Sequence, residues 1–160
     1  MQILVDADSC PCQVRELILR TSKRRQTDSS GSKIKVIFAA NRPIPGLDEN
    51  AVMEICSTEA GAADDRIVDL AQQNDLVVTR DIPLAERLVD NGICVLDDRG
   101  RVYTKENIRY CRSLRDFSVG LAENGLGMVR IPGYGKKELK NFADSLDREL
   151  TKLLKSEKHG

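Results

Sequence analysis

The feature that most constrains this chain is the alternation of helical and extended patterning across residues 63–96. Residues 63–73 set Ile67, Leu70 and Ala71 on one helical face, 76–79 (LVVT) form an apolar run too short for a helix, 82–91 return to helical spacing, and 93–96 (ICVL) are extended again. Continuous apolar strands separated by short helices predict a parallel sheet, covered on both faces and joined by right-handed crossovers.

The rest of the chain extends this pattern. Residues 2–5 (QILV) predict a first strand, placed centrally, and 11–23 a helix carrying Val14, Leu17 and Ile18. The polar stretch 26–32, broken by Gly31, predicts a loop. Residues 33–40 (KIKVIFAA) and 51–56 (AVMEIC) predict strands, divided by an NRPIPG turn whose two prolines suit neither regular state. After the turn at 97–100, residues 101–103 can return as a short edge strand, and two helices follow. The last, at about 136–156, repeats Leu139, Phe142, Leu146, Leu150 and Leu153 at helical spacing. The expectation is one domain over residues 1–160, a three-layer α/β sandwich with a mainly parallel sheet of four or five strands flanked by helices. The glycine-rich stretch 125–135 is followed by Lys136 without a Ser or Thr, which excludes a P-loop.

Charge does not select a ligand, because 25 basic residues balance 25 acidic ones. The cysteine count, five, is odd, and the sequence shows neither a leader nor a membrane-length apolar stretch. These point to free thiols, no disulfide-linked partner, no membrane association and a cytoplasmic protein.

The acids carry the chemistry. Asp6 and Asp8 follow the first strand, Asp81 follows 76–79, Asp97 and Asp98 follow 93–96, and Asp64 and Asp65 open a helix on the same side. In an open parallel sheet that carboxyl edge is where ligands bind. Asp is also a favoured helix N-cap, and Asp8, Asp64 and Asp81 each precede a helical pattern. Doubled acids at 6/8 and 64/65 bring repulsion that capping does not require and a cation would relieve, and carboxylates without histidine or thiolate partners suit Mg²⁺ or Mn²⁺. Cys10-Pro11-Cys12 lacks a second cysteine pair to complete a thiolate site, although Cys10 near a helix start is a conceivable nucleophile. The single histidine, His159, excludes a Ser/His/Asp triad.

The stretch from Ala63-Asp64-Asp65-Arg66 through Thr79-Arg80-Asp81, with Asp6 on the first strand, resembles the PIN-domain nucleases. More closely, the chain resembles the bacterial YaiI/YqxD family, a PIN-like group. The matching residues include Val5-Asp6-Ala7-Asp8, Cys10-Pro11, Glu16, Asn41-Arg42, Ala63-Asp64-Asp65, Asp81-Ile82-Pro83, Arg99-Gly100, Asn107-Ile108 and Phe142-Ala143. Gly61 departs from the pattern, where the family carries another aspartate. The resemblance implies a PIN-like fold and metal-dependent phosphodiester hydrolysis, with RNA as substrate. Asp6, Asp64 and Asp81 would hold Mg²⁺ or Mn²⁺, joined by Asp8, Asp65 and less directly Glu16, while Asn41, Arg42, Arg80 and Arg99 would contact substrate phosphates.

Asp6-x-Asp8 after a buried strand also resembles the haloacid-dehalogenase-like phosphatases. There Asp6 would be nucleophile and Asp8 acid, with Ser57 and Asp97-Asp98 in further roles. That reading requires a lysine between them, and none occurs from residue 36 to 104. A third expectation is a PIN-like module that binds RNA or protein without catalysis.

Overall fold

A computed structural model describes residues 1–28, 33–127 and 133–159. Strand β1 (Gln2–Asp6) leads through a 3₁₀ turn (Ala7–Ser9) into helix α1 (Cys12–Asp28). There follow β2 (Lys35–Ala40), β3 (Ala51–Ile55), α2 (Ala62–Leu70), β4 (Leu76–Val78), α3 (Ile82–Asp90), β5 (Cys94–Leu96), β6 (Val102–Tyr103), α4 (Lys105–Glu123) and α5 (Lys136–His159). The sheet order is β3-β2-β1-β4-β5-β6, with every pairing parallel except β5–β6. β1 is therefore central, and the sixth strand, beyond the four or five expected, is the short edge return at residues 102–103.

Alternation along the strands divides the core. Ile3 and Val5 of β1, with Val36 and Phe38 of β2, face Val14 and Ile18 of α1 and Phe142, Leu146 and Leu150 of α5. Leu4, Ile37, Val77 and Val95 face the other way, onto Ile67 of α2, Leu84 and Leu88 of α3, and Ile108 of α4. Because β1, β2, β4 and β5 are buried on both sides, their sequences show apolar runs, whereas the edge strand β3 is half-buried and carries Glu54. The result is the α/β/α sandwich expected of a PIN-like chain.

Two boundaries differ from expectation. Helix α1 continues through residues 26–28, which the polar composition marked as loop; residues 29–32 lie outside the described residues. Polar anchors hold the extension. Arg24 and Arg25 reach Asp147 of α5 at 2.9 and 3.4 Å, and Gln26 donates to the Ile34 carbonyl at 2.8 Å. Helix α2 stops at Leu70, three residues early, with the Ala71 amide closing its last turn on Ile67. The glycine-rich stretch 125–135 falls partly outside the described residues, at 128–132.

Candidate functional site

The strand order reverses between β1 and β4: the chain builds β1, β2 and β3 outward on one side, then crosses to lay β4 and β5 on the other. Loops diverge at such a switch point and leave a crevice. Asp6 ends β1, and Thr79-Arg80-Asp81 leave β4 beside it.

A cleft of about 360 Å³ opens there, lined by Asp6, Asp8, Asn41, Asp64, Asp81 and the 57–61 loop, among others. Of the five expected metal ligands, four line it. Asp6 is 8 % exposed. Its Oδ2 accepts hydrogen bonds from the Thr79 hydroxyl at 2.9 Å and the Ser9 hydroxyl at 3.2 Å. Burial nevertheless holds its pKa above the ordinary aspartate value, because the two hydroxyl donors only partly compensate and Asp81 and Asp8 add repulsion. Thr79 Oγ1 also accepts the Asp81 amide at 3.0 Å, so one hydroxyl fixes both acidic turns. Neither Thr79 nor Ser9 had been assigned a role from sequence; a hydroxyl immediately before an acidic strand exit was the available signal.

Asp81 caps α3, its Oδ1 accepting the Leu84 amide at 2.9 Å, and still lines the cleft, so capping and site residence coincide. Asp64 sits in the first turn of α2, and among the described residues its carboxylate makes no hydrogen bond or ion pair. Burial, with Asp81 and Asp6 adding repulsion, pushes its pKa up to about 6 against a weaker opposing pull from Arg87. Asp8 is exposed at the rim, its Oδ2 accepting the Asn41 amide at 3.2 Å. Gly61, which precedes α2, has φ +81°, a backbone state that favours glycine.

Several expected participants stand elsewhere. Asp65 lies outside the cleft lining and pairs with Arg87 at 3.0 Å. Arg80 turns to Asp98, its Nε 2.8 Å from Oδ2 and its Nη2 on the same oxygen. Arg99 lines a separate cleft with Arg101, Asn141 and Arg148, and its guanidinium lies 5.6 Å from the Tyr134 ring. Arg42 is exposed and outside the lining, as is Glu16, which accepts from the Cys12 thiol at 3.6 Å. The phosphatase reading loses Asp97 and Asp98 from the cleft but keeps Ser57. Cys10 is buried, which pushes its thiol up to about 12 and removes the thiolate a nucleophile needs. All five cysteines are free, and no helix among the described residues is long and apolar enough to cross a membrane.

The cleft therefore concentrates carboxylates and has no Lys or Arg in its lining. As they stand, no three acid, thiol or imidazole groups among the described residues come together closely enough to hold a metal ion.

A family model described as "Uncharacterized BCR, YaiI/YqxD family" matches residues 4–152. The chain belongs to this family. Family members similar to it include "UPF0178 protein" of Treponema denticola, 42% identical over 155 residues that span 97% of this chain and 95% of the relative. Others of that name are from Treponema pallidum, 44% identical over 97% of this chain and 84% of the relative, and Myxococcus xanthus, 42% identical over 98% and 99%. No solved structure matches the chain.

Proposed function

We propose that this chain is a divalent-cation-dependent phosphodiesterase acting on RNA. The observation that carries the reading is the cleft at the β1/β4 switch point, where Asp6, Asp8, Asp64 and Asp81 gather without a lining cation and Asp64 is pushed up to about 6. A polyanion does not enter such a cleft unless its charge is first offset. Hard oxygen donors without imidazole or thiolate fit Mg²⁺ or Mn²⁺, and the repulsion on Asp64 is what a cation relieves. The fit is one of chemistry rather than present spacing, since like charges without a counterion hold one another apart.

In this reading Asp6, Asp64 and Asp81 hold the ion. When bound, it supplies a water of lowered pKa and offsets charge that builds on the phosphate. Thr79 fixes one oxygen of Asp6, and the α3 amide at Leu84 fixes one oxygen of Asp81. Asp8 and Asn41 at the rim orient water and substrate.

The test is cleavage of single-stranded RNA by purified protein with Mn²⁺ or Mg²⁺. Asp6→Asn and Asp81→Asn each abolish the cation-dependent cleavage and leave the fold intact, since an amide keeps the volume and removes the charge. Turnover of a small phosphomonoester with a trapped phosphoaspartate on Asp6 would overturn the reading in favour of the phosphatase. No activity in either assay, with no Mn²⁺-dependent rise in melting temperature, would leave a binding module.

A further inference from the structure

The turn from β5 to β6 is pressed against the first half of α5. Gly100 lies so close to the helix that a Cβ would fall 2.5 Å from the Asn141 carbonyl oxygen, and the Ser145 hydroxyl donates to the Gly100 carbonyl at 2.6 Å. This docking sets Arg99 and Arg101 of the turn and Arg148 of α5 around one cleft of about 570 Å³. Each arginine is held in place. Arg99 lies 3.8 Å from Glu138 and over the Tyr134 ring, Arg101 donates to the Cys111 sulfur at 3.1 Å, and Arg148 donates to Glu149 and Ser145, both at 3.3 Å. A guanidinium carries five N–H donors, of which these bonds occupy one on Arg101 and two on Arg148.

Two acids share the lining. Asp97 is buried and commits its Oδ1 to the amides of Arg99 and Arg101 at 2.9 and 2.8 Å, whereas Asp144 is exposed. Three anchored cations against one outward acid favour an anion. No apolar side chain among the described residues lines the cleft, unlike the mostly apolar pockets that enclose small organic ligands. The planar guanidinium fork suits phosphate oxygens.

The position of the cleft says whose phosphates fit. β1, β4 and β5 run parallel, so Asp97 leaves the sheet at the same edge as Asp6, two strand spacings or roughly 10 Å along it. Arg80, next to Asp81, pairs with Asp98, next to Asp97, so one ion pair links the acidic cleft to the basic one. Two other basic groupings stand at the opposite edge: Lys33 and Lys35 where β2 begins, and Arg25 at the end of α1 with Lys155 and Lys158. An RNA strand at the acidic cleft meets no Lys or Arg in its lining, so the backbone beside the reacting group needs a grip on the same edge.

We propose that the cleft between the β5–β6 turn and α5 binds backbone phosphates of single-stranded RNA, flanking the bond held at the acidic cleft, through Arg99, Arg101 and Arg148. The identity of the polymer rests on the phosphodiesterase reading.

Fluorescence anisotropy of a labelled single-stranded RNA oligonucleotide on the full chain, over a salt series in EDTA, tests binding apart from cleavage. Arg148→Gln is expected to weaken binding about 10-fold and to reduce the slope of log affinity against log salt by about 0.7, the share of one phosphate contact. Asp144→Asn is expected to strengthen binding, a gain that misfolding does not imitate. With Mn²⁺ present, Arg148→Gln raises KM and leaves kcat unchanged. RNA binding that follows both variants without any cleavage would leave this cleft as an RNA site and overturn only the phosphodiesterase reading. Cleavage by the wild type, with affinity, salt slope and KM unmoved by either variant, would overturn the proposal and leave that reading standing. The proposal also fails if RNA does not bind in EDTA, or if a mononucleotide binds as tightly as the oligonucleotide, because the cleft would then serve one small ligand.

Discussion

Asp6 closes β1 and Asp98 follows β5, two strands away along the same sheet edge, and both are buried. Around Asp98 the protein supplies a counter-charge: Arg80 reaches across from the end of β4 and places two nitrogens on one carboxylate oxygen. Its neighbour Asp97 accepts the amides of Arg99 and Arg101 at 2.9 and 2.8 Å. Around Asp6 the donors are neutral hydroxyls, and the charges that raise its pKa are those of Asp81 and Asp8. The same residue type at the same edge thus serves two ends. Where the chain brings its own cation the acid builds the fold, and where it brings further acids the negative charge is left for something else to balance.

The comparison breaks most sharply at the turn that the first kind of acid holds. Gly100 has φ +90°, and a Cβ there would fall 2.5 Å from the Asn141 carbonyl oxygen of α5. Gly100→Ala combines a strained backbone with a main-chain collision and is expected to cost about 3 kcal/mol in a denaturant titration. Asp98→Ala comes next. It removes the partner of Arg80, but since Arg80 keeps much of its hydration the loss is about 2 kcal/mol rather than the larger penalty of a fully buried pair. A stability change under 0.5 kcal/mol for Asp98→Ala would show that the Arg80 pair contributes no more than an ordinary surface pair.

These partnerships also mark how far the sequence could be read. The parallel strands and their helices were legible because burial on both faces writes an apolar run, and the meeting of Asp6, Asp64 and Asp81 in one cleft follows from acids placed at strand exits and a helix start. What escaped was pairing across distance. Arg80, expected beside substrate phosphate, pairs with Asp98, 18 residues on, and Asp65, expected beside the metal, pairs with Arg87, one helix later. The tail of α1 escaped for the same reason, since Arg24 and Arg25 are held by Asp147, more than 120 residues away, rather than by an apolar stripe.

At the acidic cleft the comparison sharpens through Thr79, the hydroxyl that stands where Asp98 has an arginine. It bonds to the Asp6 carboxylate and the Asp81 amide, so under the proposed function it is a positioning residue. Thr79→Val keeps the shape and deletes both hydrogen bonds, and Mn²⁺ affinity measured by calorimetry on the folded variant is expected to fall about 10-fold. Thr79→Ser, which retains the hydroxyl, should recover most of that loss, whereas a purely packing role would leave the two variants alike in metal affinity.

Asp64 gives the smallest effect and the clearest sign. Its pKa in the folded chain is raised from 3.8 to about 6, chiefly by burial and then by Asp81 and Asp6. Between those two pH values the folded state binds more protons at this site than the unfolded state, so stability must fall as pH rises through the window. Above it Asp64 is ionised in both states and its contribution is a constant penalty. Asp64→Asn removes the titration, so the metal-free variant should match the wild type near pH 4 and exceed it near pH 7 by about 1 kcal/mol, a figure reduced because the side chain is only partly buried. Added Mn²⁺ should stabilise the wild type and narrow this gap, because a bound cation offsets the repulsion that the amide removes. If the two chains keep the same separation from pH 4 to pH 7, or Asp64→Asn is the less stable at neutral pH, the carboxylate is already balanced within the chain and the contrast with Asp98 disappears.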